Sequence, residues 1–207
     1  MAWNSAYADA AEYRARTGKT TTGDDADILE QLTAASRAIE HCTFDVFNKT
    51  LAGVVLFMDG RGGDWLPVHP SVVTLESLKV DTNGDGTYDA TVPAGDLIAR
   101  PQSVDANDER PVRAYRLHPK QSTITAFPHR VVAVEITATF GWKAVPDAIR
   151  EACVDLTRSI RDLQLAGHTM SLQNLDQAIA LSPEVARVVQ RLEGTYKRHD
   201  LAIPMPV

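Results

Sequence analysis

Val132-Ala133-Val134-Glu135-Ile136-Thr137-Ala138-Thr139-Phe140-Gly141-Trp142-Lys143-Ala144-Val145-Pro146-Asp147-Ala148-Ile149-Arg150-Glu151-Ala152-Cys153 decides the fold, because the apolar period changes within it. Up to Phe140 apolar and polar residues alternate, the mark of a strand with one buried face. After Pro146 the spacing becomes 4 and 3, through Ile149, Cys153, Leu156, Ile160 and Leu163, which is one face of a helix. Proline suits a first helical position, where its missing N–H has no partner to lose. A sheet therefore ends near Phe140 and a helical segment begins near Pro146.

Upstream, the stripe Ile28, Leu32, Ala35, Ile39 and Cys42 predicts a helix over 24–44, with Asp24 and Asp25 where the positive end of the helix dipole favours acids. A shorter helix is expected over 6–16, stopped by Gly18. Between 54 and 140 the punctuation is that of strands and turns, with strands expected at 54–57, 72–80, 87–92, 112–118 and 131–140. Downstream, Ser182-Pro183-Glu184 opens a last helix with Val185, Val188, Val189, Leu192 and Tyr196 on one stripe, and Gly167 is a plausible stop for the helix before it. The plan is α+β: a helical body from 1–50 and 141–200, an inserted antiparallel β region over 51–140, and an extended tail over 201–207.

The composition fits that plan. A chain of 207 residues corresponds to about 1.4 domains. With 44% hydrophobic and 23% charged residues it is an ordinary globular sequence. Lys plus Arg number 21 against 27 Asp plus Glu, a net charge of −6 that argues against a broad basic surface for gripping nucleic acid. Basic residues do collect late, as Arg187, Arg191, Lys197, Arg198 and His199, partly explained by a helix C-terminus. No signal peptide or membrane span is legible. Cys42 and Cys153, 111 positions apart on helical stripes, read as packing residues rather than a disulfide or nucleophile.

Asp81-Thr82-Asn83-Gly84-Asp85-Gly86-Thr87-Tyr88-Asp89 places oxygen ligands at relative positions 1, 3, 5 and 9 and glycine at 6, as calcium loops do. Val92 stands where the bidentate glutamate belongs, and the flanks read as strands. A tight hairpin turn explains the glycines without an ion, so Asp81, Asn83, Asp85 and Asp89 are the candidate ligands of a calcium-dependent binding module if an ion binds at all. The six histidines show no metal-ligand spacing, no serine lies in a nucleophile elbow, and Arg61-Gly62-Gly63 lacks the Lys-Ser/Thr of a phosphate loop. No catalytic constellation assembles, and no cofactor is expected. Trp142 is expected to pack over the strand-to-helix corner. Leu201, Ile203, Met205 and Val207 alternate with Ala202, Pro204 and Pro206, a poor solvated end and a good extended segment to lie on another protein.

The segment Phe140 to Cys153 resembles the strand-to-helix signature of tailed-bacteriophage head-tail adaptor (connector) proteins. Leu29 to Glu40 is similar to the first long helix of that family, and Asp81 to Tyr88 to its hairpin. The chain departs from the family at Phe44-Asp45-Val46-Phe47 and Asp162-Leu163-Gln164-Leu165, where members often carry arginines. The resemblance implies a non-enzymatic virion protein, assembled in the host cytoplasm into a homo-oligomeric ring, a dodecamer in the virion. That ring sits under the portal protein and extends the DNA channel, which DNA crosses without specific binding. It docks the stopper or tail-completion protein. By position, the resemblance assigns portal contact to Tyr196, Lys197, Arg198, Leu201, Ile203 and Met205. Repeated around a ring, the net charge of −6 gives an acidic conduit to which DNA does not adhere. The nearest alternative is another neck component such as a stopper, expected to be mostly β.

Overall fold

The computed structural model describes residues 5–18, 20, 22–101, 110–165 and 183–197. The chain forms two compact units, one spanning Asn48–Ala144 and the other built from the segment ending at Phe47 and the segment starting at Val145.

The helical unit contains α1 (Ala10–Thr17), α2 (Asp25–Thr43), α3 (Asp147–Leu165) and α4 (Pro183–Tyr196). A capping box starts α1: the Asp9 carboxylate accepts from the Glu12 N–H at 2.8 Å, and the Glu12 carboxylate accepts from the Asp9 N–H at 3.1 Å. Gly18, at φ +70°, ends it as expected. Along α2, Ile28, Leu32, Ala35 and Ile39 are fully buried, each larger one contributing roughly 1.5–3 kcal/mol by leaving water. The helix stops where Phe44 turns left-handed (φ +53°) and donates its N–H to the Glu40 carbonyl. Pro146 lies one residue before α3 rather than inside it; its carbonyl accepts the Ile149 and Arg150 N–H groups. Ile149, Cys153, Leu156 and Ile160 are buried as the spacing predicts, and α2, α3 and α4 pack on one another with α1 against α2 and α3. Cys153 is buried and Cys42 half-buried; neither is in a disulfide. The Leu163 side chain, Gly167, Ser182, and the tail 201–207 lie outside the described residues.

The β unit contains β1 (Val54–Met58), β2 (Trp65–Val80), β3 (Ala90–Thr91), β4 (Leu97–Arg100), β5 (Val112–Leu117) and β6 (Val134–Phe140). All pairings are antiparallel, in the order β1-β6-β2-β5-β4, with β3 beside the end of β2. Helices in one unit and an antiparallel sheet in the other make the chain α+β, the class that the change of period indicates.

Three strands differ from their sequence-based bounds by more than one residue. β2 starts at Trp65, seven residues early, and divides its partners: Trp65–Pro67 pairs with β5 and Val72–Val80 with β6, with register shifts between. The strand expected over 87–92 shrinks to Ala90–Thr91 because residues 81–89 are held in their own loop. β6 starts at Val134, since Val132 is left-handed (φ +53°) and points outward. β4, after a short 3₁₀ turn at Ala94–Asp96, has no counterpart in the sequence reading. Leu66, Val68, Leu78, Val80, Ile136 and Phe140 form the centre of the core. Trp142 is buried, with the Arg113 guanidinium carbon 6.0 Å from its ring centre.

Candidate interaction surfaces

The loop 81–89 is closed by its own side chains. Asp81 accepts from the Gly84 N–H at 2.6 Å and the Gly86 N–H at 3.1 Å, and Asp89 accepts from the Thr82 N–H at 3.0 Å and hydroxyl at 2.8 Å. Asn83 and Asp85 bond to each other, and Asp85 also accepts from the Thr87 N–H. Arg130 donates to the Asp81 carbonyl and lies 3.4 Å from its carboxylate. Burial alone would push the Asp81 carboxyl up; the two glycine amides and Arg130 outweigh it and hold the group below the usual carboxylate range. The thread from Asp81 to Asp89 thus brings the four candidate ligands into one loop, with a guanidinium supplying the positive charge at Asp81. Among the described residues no group of three or more His, Cys, Asp or Glu is placed to hold a metal ion.

At the end of α4, Tyr196 meets Phe47 edge-on at 5.6 Å, and Phe47 meets Tyr7 in the same way at 5.6 Å. Lys197 pairs with Glu193 at 2.7 Å and lies 5.9 Å from the ring centre of Phe44, a phenylalanine that is 48% exposed. Tyr196 is therefore part of the helical unit's packing while Lys197 and Phe44 form its outer margin. Behind them, the Tyr7 hydroxyl donates to Glu40 and accepts from the Phe47 N–H at 3.1 Å; Arg37 reaches Glu40 at 2.8 Å. Burial raises the Glu40 carboxyl, opposed by the Tyr7 hydrogen bond and Arg37. Arg198, Leu201, Ile203 and Met205 lie outside the described residues.

Elsewhere in the helical unit Glu12, Arg16, Asp147, Arg150, Glu151 and Val154 line a polar recess of about 280 Å³. Its charges are already matched: Arg16 with Glu151, and Arg150 with both Glu12 and Asp147. Burial pushes the Cys153 thiol up, its Sγ lying 3.4 Å from the Ser36 hydroxyl, so it is a packed thiol and not a thiolate nucleophile.

Sequence reasoning missed the surface around β1. This strand is the outer member of the sheet, paired with β6 alone, and its outward residues Val55 and Phe57 are 45% and 53% exposed. The Phe57 ring stacks on Tyr88 (5.6 Å between centres, 24° between planes), and the Tyr88 hydroxyl donates to the Val132 carbonyl at 3.1 Å. Val132, 51% exposed, extends the patch, and its N–H is held by the Asp59 carboxylate at 2.8 Å. The signal was in Val54–Met58, five apolar residues without a charge or proline, which reads equally as a buried strand.

No protein-family model matches the chain, and no curated protein matches it significantly. Solved structures do. One chain, from the neck of an empty GTA particle computed with C6 symmetry, is 19% identical, with a TM-score of 0.54 over 95% of this chain and 92% of that one. Another, from the virion of a native gene transfer agent (GTA) particle, is 24% identical, with a TM-score of 0.55 over the same shares. At these identities the likeness is one of fold, and it runs through both units.

Proposed function

We propose that the chain is a structural subunit of the neck of a phage-like particle, and within the neck a head-tail adaptor. The observation that carries the reading is the likeness of nearly the whole chain to a chain from a GTA neck. The strand-to-helix signature from Phe140 to Cys153 supports it independently. A stopper is expected to be mostly β, whereas one unit here holds four helices among the described residues. The Asp81–Asp89 loop serves as a self-closed hairpin cap, with Arg130 in the role a cation would otherwise fill. The subunit works by assembly and not by catalysis.

In this reading copies form a ring under the portal that extends an acidic DNA channel. The segment after α4 engages the portal, with Lys197, Arg198, Leu201, Ile203 and Met205 as its contacts and Tyr196 anchoring the base of the segment. Burying three such apolar side chains contributes roughly 4–9 kcal/mol before ordering costs. Truncation after Arg198 tests the assignment. The truncated chain is expected to fold, with an unchanged circular dichroism spectrum, and to fail to join portal-bearing heads; normal joining would remove the portal role from the tail. Independently, labelling the chain in purified particles is expected to place it at the neck, and label on the capsid faces or tail tip would overturn the neck reading itself.

A further inference from the structure

We infer that the exposed patch around Phe57 is a docking surface for a second copy of this chain, and that the docking element of that copy is the arginine pair Arg187 and Arg191 on α4. The inference rests on the ring reading and names the two surfaces that build the ring.

Three features define the patch. The strand at its base is an unguarded sheet edge: β1 carries no charge, proline or bulge, the devices by which exposed edges avoid pairing. The other outer strand, β4, ends in Arg100 followed by Pro101. Next, the stacked Phe57 and Tyr88 rings present aromatic surface that the Tyr88–Val132 hydrogen bond holds in place. Finally, the rim is acidic. Asp81 and Glu135 are matched by Arg130 and Lys79, whereas Asp59, which holds the Val132 N–H, Asp89, next to Tyr88 in the chain, and Asp85 have no ion pair among the described residues.

Aromatic faces bordered by carboxylates select for a guanidinium, which stacks on the rings through its plane and donates to the acids through its edge. The chain itself carries that group on a different unit. Arg187 and Arg191 are exposed on α4, without an ion pair among the described residues, and stand four positions apart. Side chains at that spacing lie on one face of the helix, with Cβ atoms roughly 5–6 Å apart, so both guanidinium groups can reach one patch. Two like charges at this spacing weaken a lone helix slightly, and an acidic, aromatic partner removes that repulsion. Patch and stripe are different surfaces, so the contact is head-to-tail, and repeated contacts of that type build a ring or a filament rather than a closed pair.

Sedimentation velocity of the full chain up to about 0.5 mM, at low and high salt, tests this. The wild type is expected to self-associate, more weakly at high salt. Phe57→Ala and the pair Arg187→Glu with Arg191→Glu are each expected to weaken association at least about tenfold while leaving the circular dichroism spectrum unchanged. Mixing the Arg187→Glu/Arg191→Glu chain with a Val55→Lys/Phe57→Lys chain, each monomeric alone, should restore a complex. A wild type that stays monomeric throughout overturns the self-docking, as does self-association that these variants leave intact. Neither result touches the neck reading, which the labelling of particles decides.

Discussion

Gly141 is the residue at which the deciding segment leaves the sheet, and replacing it by alanine isolates a backbone contact. Its φ of +95° already strains any L residue, by about 1–2 kcal/mol. The added methyl would overlap the Asn48 carbonyl oxygen, stand 2.8 Å from that carbonyl's carbon and 3.2 Å from the Lys49 Cα. No side-chain rotation relieves a clash with backbone, so the Asn48–Lys49 segment must move. It leads into Thr50, whose N–H donates to the Phe140 carbonyl at 3.0 Å and whose hydroxyl accepts from the Phe140 N–H at 2.8 Å. Losing or stretching these two buried bonds adds about 1–2 kcal/mol each, so Gly141→Ala should destabilise the β unit by about 3–6 kcal/mol. Gly86→Ala is the control. Its φ of +84° imposes the same strain, yet nothing lies within 4 Å of its added methyl, so its cost is about 1–2 kcal/mol. Urea unfolding followed by tryptophan fluorescence reports on this unit through Trp65 and Trp142, and the slope with urea should stay unchanged. Equal midpoints for the two variants would refute the reasoning.

Arg130→Ala removes the cation facing Asp81, and the Asp81 carboxyl should titrate higher in a carbon-detected NMR titration. Because its folded value is depressed, its share of stability is present above the unfolded value and is lost as pH falls through the folded one; an unmoved titration would show that the amides alone set it. With Arg130 in place, calcium at roughly 1 mM should give no heat in calorimetry, and a saturable heat would return Asp81, Asn83, Asp85 and Asp89 to the role of ligands. Leu32→Ala, at a fully buried α2 position, should cost about 2–5 kcal/mol, and a smaller loss in thermal unfolding would show that α3 and α4 close the gap. For Glu40 the sign is reversed: its folded value is raised, so stability declines as pH rises from the ordinary 4.5 toward that folded value. Glu40→Gln keeps an acceptor for the Tyr7 hydroxyl and should abolish that decline, whereas parallel pH curves for the two proteins would exclude Glu40 as its source.

The helices were legible because each stripe is continuous: Ile28 to Ile39 and Ile149 to Ile160 keep their spacing without a break, and both are buried as read. The first half of β2 was not, since Pro67 and Pro70 argue against a strand in the middle of a sheet, and only the register shows that Trp65–Pro67 pairs with β5 alone, β6 joining from Val72 on. The Asp81–Asp89 motif was visible as a loop, but its cation comes from Arg130, 49 positions away, and no local spacing signals such a partner. β1 illustrates a deeper limit. Val54–Met58 has a uniform apolar sequence, and its burial alternates because successive side chains point to opposite faces of the sheet: Val54, Leu56 and Met58 pack against the core while Val55 and Phe57 face out. Sequence fixes what a strand is made of, while topology decides whether it is central or outermost. An apolar strand in a central position is simply core, whereas the same strand at an edge is a surface whose composition calls for a partner. The unguarded β1 and the guarded β4 acquire their opposite meanings only once the order β1-β6-β2-β5-β4 is known, and that order turns five unremarkable apolar residues into the chain's best candidate for assembly.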